Sequence, residues 1–237
     1  MQLSIKYEGK TIYFDVIYRK RKTMAITVEA PDKVTVSVPM GMKEEVITKN
    51  VMTKADWIVK KLYEFENVRP IAVNKEFING ESFMYLGINY ALQIELNESL
   101  QVPEVKIFKD KFIISTPWKD KEIIKKALEG WYRERAREVI NERVKYYQFV
   151  IGAKPAKVTI KEQKKRWGSC SSKVNLNFNW KLIMAPPAII DYVVVHEMAH
   201  LIHLNHSKQF WDLVESILPD YKERRKWLNN NGYKLSF

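Results

Sequence analysis

The chain has 237 residues, enough to bury one or two hydrophobic cores, so neither a disulfide nor a metal is needed merely to fold it. Its 46% hydrophobic and 29% charged residues, with seven Trp and twelve Tyr, exclude an intrinsically disordered chain. Forty Lys and Arg against 28 Asp and Glu leave a formal charge of +12, which attracts polyanions such as nucleic acid or nucleotides and also suits plain solvation of helix faces.

The N-terminus alternates apolar and polar residues and carries charges early, unlike a secretory signal. Residues 1 to about 38 read as strands of period two, with Ile12, Phe14, Val16 and Tyr18 on one face and Val34, Val36 and Val38 on another. A helical stretch follows from Gly41 to Phe65, with Val46, Ile47, Val51, Ile58 and Leu62 at helical spacings. A second β-rich block runs from Lys75 to Pro117. Asn79-Gly80, Leu86-Gly87 and Lys109-Asp110 supply its turns, the last closing a hairpin.

After Pro117 the period changes. Residues 119–150 read as one long amphipathic helix, carrying Ile123, Ile124, Leu128, Trp131, Ala136, Val139 and Val144 and stopped by Gly152. The expected fold class is therefore α+β. A β-rich N-terminal domain with one helix covers 1–118, a second domain covers 119–237, and no internal repeat is visible. A short sheet comes next: Val158 and Ile160 alternate, and Leu176, Phe178, Trp180 and Leu182 oppose Asn175, Asn177, Asn179 and Lys181. The backbone of that Asn-rich strand is either a peptide-pairing edge or is occupied by neighbouring strands. Pro186-Pro187 then opens a helix in which Asp191 complements the dipole. The single cysteine, Cys170, excludes an internal disulfide, suits the cytoplasm and reads as a small buried residue. No apolar run reaches the roughly 20 residues of a membrane span.

All four histidines lie between His196 and His206. Two His four residues apart share one helical face, so His196 and His200 can present both imidazoles to one ion. Glu197, about 100° round the helix, stands beside that ion and suits a base that takes a proton from water. Zinc takes three protein ligands and leaves a fourth place open when it is catalytic. The third ligand is His206 if the chain folds back at Asn205, with His203 and Glu215 as alternatives. Tyr192-Val193-Val194-Val195 favours a strand by propensity, against the helix that the ligand spacing requires. Arg166 is the candidate for an oxyanion or phosphate, or else half of a structural ion pair. Phe210, Trp211, Val214 and Leu218 read as core.

Three functions follow: peptide hydrolysis by one Zn2+ ion with Glu197 as general base, hydrolysis of a nucleotide phosphoanhydride, or a basic nucleic-acid-binding module with structural zinc. The chain resembles the YgjP-like metal-dependent hydrolases, related to the SprT-like and WLM peptidases of the zincin group. The resemblance is carried by RWGSCSS (166–172), NWKLIMAPP (179–187), DYVVVHEMAH (191–200), NHSKQFW (205–211) and, more thinly, RKRKTMAITVEAPDKVTVSVP (19–39) and ADWIVKKL (55–62). The ten-residue spacing from His196 to His206 matches the metzincins, but His203 stands at their glycine and no convincing Met-turn follows. The resemblance implies a backing helix, a small twisted sheet and an active-site helix. In it His196, His200 and His206 bind zinc and Glu197 is the base.

Overall fold

A computed structural model describes residues 1–29, 32–67, 75–163 and 166–237. The chain is α+β and divides into two compact units, Met1–Val73 and Asn74–Phe237.

In the first unit β1 (Gln2–Tyr7), β2 (Lys10–Arg19), β3 (Ala25–Glu29) and β4 (Lys33–Pro39) form a sheet of order β1-β2-β4-β3, with a parallel centre and antiparallel outer pairs. Ile12, Phe14, Val16, Val34, Val36 and Val38 are buried as the alternation requires, each side chain worth about 1.5–3 kcal/mol. Tyr18, expected among them, is exposed and donates its hydroxyl to the Met42 carbonyl instead. The single helical stretch is two helices, α1 (Glu44–Met52) and α2 (Ala55–Asn67). The first stops where the Thr53 hydroxyl bonds the Asn50 carbonyl, so that backbone oxygen is satisfied without a further helical turn. Ile47, Val51 and Ile58 join the sheet's core, whereas Val46 faces solvent.

The second unit opens with β5 (Ser82–Tyr85), β6 (Ile88–Leu96), β7 (Glu104–Phe108) and β8 (Lys111–Thr116), in the order β5-β6-β8-β7. This repeats the connectivity of the first sheet, parallel centre included. The repeat is one of topology, which the side-chain sequence did not disclose. Lys109, at φ 55°, makes the expected β7–β8 turn. Leu86 and Gly87, both at positive φ, turn the β5–β6 hairpin. Their amides donate to the Ile183 and Met184 carbonyls at 3.0 and 2.9 Å. A Cβ on Gly87 would come within 2.8 Å of Pro186 Cγ, so this turn can press on the segment before the active helix only as glycine.

The long helix α3 (Lys121–Ile151) starts where Asp120 accepts the Ile123 amide and ends at left-handed Gly152. Its buried face is Ile124, Leu128, Tyr132, Ala136, Ile140, Val144 and Tyr147. That face shares one core with Phe83, Leu92, Phe112 and Ile114 from the sheet and with Phe77 just before it. For this reason the compact units do not divide at the expected boundary near Trp118: the β5–β8 sheet completes its core only with α3.

Beyond α3, β9 (Lys157–Lys161), β10 (Gly168–Cys170) and β11 (Asn175–Asn179) pair in the order β10-β11-β9. The Asn-rich strand is therefore the central one, paired on both sides and closed to strand addition. It is also shorter than expected. The Asn179 carboxamide accepts the Lys181 amide and starts a 3-10 turn, Trp180–Met184, in which Trp180 and Leu182 remain buried. Helix α4 (Pro187–Ala199) follows, with Pro187 in its first turn, then α5 (Lys208–Ile217) and α6 (Tyr221–Asn231). Asp191 does not serve the helix dipole. It grips Arg143 of α3 through two bonds of 2.5 and 2.8 Å, which fixes α4 against the backing helix. Val193, Val194 and Val195 are buried, and that packing overrides their strand propensity. The long helix α3, the small sheet, α4 and the C-terminal helices thus follow one another in the expected order. Among the described residues no helix is long and apolar enough to cross a membrane.

Candidate metal centre

Helix α4 carries His196 and Glu197 in its last turn and is capped by His200. The chain then turns sharply, the amides of Leu201, Ile202 and His203 bonding back to Met198 and Ala199. The helix ends at this turn and not at Asn205. Asn205 is absent from the residues of positive φ, and its side chain accepts the Ser207 amide instead. Ser207 caps α5, and the reversal returns His206 to the active helix.

One ligand atom from each of His196, His200 and His206 lies within 4.8 Å of the others. The Nε2 atoms of His196 and His206 stand 3.1 Å apart. Two nitrogens bound tetrahedrally at 2.0–2.1 Å would stand about 3.3 Å apart, so the cluster fits an ion of that size. His200 Nδ1 meets the His203 carbonyl at 3.0 Å, which fixes the proton there and frees Nε2. His203 thus contributes its backbone, and its ring is no part of the cluster. Glu215 is turned to Lys222, at 3.0 Å.

The surroundings favour the neutral form of His196 and His206. Burial, then the charges of His200, His206 and Arg225, holds His196 down to about 3. Partial desolvation, then His200 and Arg225, lowers His206. A neutral imidazole has the lone pair that a metal needs. Phe210 lies beneath all three rings at centroid distances of 5.0, 4.6 and 4.8 Å. Trp211 stacks on His206, and the Arg225 guanidinium lies over the Trp211 ring at 5.1 Å.

Glu197 is buried beside the triad, 6% exposed. Burial raises its carboxyl to about 7, against the opposing pull of the Arg166 charge and of the Cys170 amide. Arg166 is exposed and lines a cleft of about 600 Å³ with Trp167, Lys181 and Tyr233. Burial and Glu197 together raise the Cys170 thiol, which makes it a poor nucleophile. Asn177 and Asn179 bond within their own sheet region, to Ser169 and to the Gln163 carbonyl.

Sequence reasoning missed the second layer: Phe210, Trp211 and Arg225 around the imidazoles, and strand β10 under Glu197. Phe210 was legible in part, since it stands one helical turn after His206. Arg225 carried no local signal.

A family model described as the YgjP-like metallopeptidase domain matches residues 22–231. No curated protein matches the chain. One similar solved structure is the metallopeptidase zymogen of Pyrococcus abyssi abylysin, 22% identical, covering 37% of this chain and 89% of its own, with a TM-score of 0.35.

Proposed function

As a member of the YgjP-like metallopeptidase family the chain is a metal-dependent peptidase in kind, and we propose that its metal is one zinc ion held by His196, His200 and His206, with Glu197 as general base. The observation that carries this reading is the convergence of three imidazoles, with His196 and His206 held neutral by their surroundings, beside a buried carboxyl group. An all-nitrogen triad suits zinc better than the oxygen-seeking magnesium or calcium. Zinc in this place supplies Lewis acidity, polarising a carbonyl and acidifying water.

The chain's own groups do the rest. A carboxyl near 7 can both take and release a proton at neutral pH. Glu197 removes a proton from water as its oxygen joins the scissile carbonyl carbon, then returns that proton to the amide nitrogen as the C–N bond breaks. Arg166 offers its guanidinium to the charge that grows on the carbonyl oxygen. The lone Cys170 favours a reducing compartment, the cytoplasm.

A second reading, hydrolysis of a nucleotide phosphoanhydride, draws on the cleft where Arg166 and Lys181 meet the rings of Trp167 and Tyr233. One experiment separates the two. The purified protein is stripped of metal, reloaded with zinc, and offered a peptide panel and a nucleoside triphosphate panel. The peptidase reading expects peptide cleavage that chelation abolishes and zinc restores. Pyrophosphate release with no peptide cleaved would overturn it.

A further inference from the structure

Glu197 and Gly168 approach so closely that the glycine has no room for a side chain. A Cβ built on Gly168 would stand 2.5 Å from Glu197 Cγ, 2.7 Å from Oε1 and 2.8 Å from Cδ. The backbone itself does not ask for glycine there, because Gly168 is not among the glycines of positive φ. It sits inside a strand, where glycine weakens pairing and marks the close approach of another group. Here that group is the general base.

The strand is suited to the part. β10 is an edge strand of its sheet, antiparallel to β11. Trp167 and Ser171 carry backbone bonds to Asn179 and Asn175, at 2.8 and 2.9 Å. By the alternation of an antiparallel ladder, the amides of Gly168 and Cys170 point away from β11. A glutamate has three side-chain torsions, and the α4 backbone fixes none of the outer two. Resting on the peptidase reading above, we propose that the outer edge of β10 positions the general base, with Gly168 seating the stem of Glu197.

Gly168 is thus a positioning residue that acts through Glu197. The atoms a new methyl would meet belong to a side chain, so Gly168→Ala displaces the carboxylate while the backbone persists. A shift of about 1 Å in a reacting group costs on the order of 100-fold in rate. In the zinc-loaded protein, Gly168→Ala is expected to lower kcat about 100-fold while KM and zinc content stay within about twofold of wild type. Ser169→Ala, one residue along and facing Asn177, leaves kcat unchanged and controls for damage to the strand. Wild-type kcat in Gly168→Ala overturns the proposal.

A thermal cycle tests the same contact without activity. Gly168→Ala is expected to lower the unfolding midpoint by about 2–4 °C when residue 197 is Glu, and not to lower it in the Glu197→Ala background, where the methyl enters vacated space. Equal shifts in both backgrounds overturn the proposal. If zinc-loaded wild type cleaves no peptide, the peptidase reading fails, and this cycle still decides whether Gly168 seats Glu197.

Discussion

In its proposed role Glu197 meets two opposed demands: a base must be ionised, and a buried carboxylate resists ionising. Its folded value of about 7 lies above its ordinary 4.5, so in the metal-free protein the folded state holds a proton that the unfolded chain has lost. The stability this group contributes is complete below pH 4.5 and is lost as pH rises through about 7. Glu197→Gln is neutral at every pH. Its thermal midpoint relative to wild type should therefore climb between those pH values, and a constant difference would contradict the burial argument. With zinc present the same variant should retain the metal and lose on the order of 100- to 10,000-fold in kcat. Near wild-type turnover would remove Glu197 from the mechanism. The two remaining histidines differ more sharply than their sequence suggests. His203 works through its carbonyl, which alanine keeps, so His203→Ala should bind zinc about as wild type does. His206→Ala should weaken zinc binding by more than about 100-fold, since a direct ligand outweighs the partners around it. Competition with a chelator of known affinity measures both.

Among the elements, α5 holds the site together. Ser207 caps it, Phe210 enters the core one turn later, and the three imidazoles rest on that ring. Phe210→Ala should cost about 3–5 kcal/mol in denaturant unfolding, as large-to-small core changes do, and should weaken zinc binding as well. A loss of stability with zinc affinity intact would reduce Phe210 to a packing residue alone. The periodic elements were legible: β4, β8, α3 and the β7–β8 hairpin lie where alternation, helical spacing and turn chemistry put them. The misplaced ends have local causes: Asn179 caps a 3-10 turn and shortens the strand, and Thr53 divides a helix. A polar side chain that can bond its own backbone decides an element's end, and hydrophobic period does not register it.

For the whole molecule, the position of the division carries a test. Phe77, Phe83, Leu92, Phe112 and Ile114 lie in the same core as α3 and α4. A fragment of residues 75–237 should unfold cooperatively, whereas 119–237, stripped of those five side chains, should not fold. Circular dichroism melts compare them directly. A cooperative melt for 119–237 would restore the boundary near Trp118.

By itself the sequence determined the α+β class, the family and the convergence of His196 and His200, because spacing along one helix is a local property. Tertiary structure alone decided that His206 and not the His203 ring joins the cluster, where the compact units divide, and that a glycine on an edge strand lies against Glu197. Those depend on which surfaces close against each other, and a contact between residues distant in the chain leaves no period for a sequence to display.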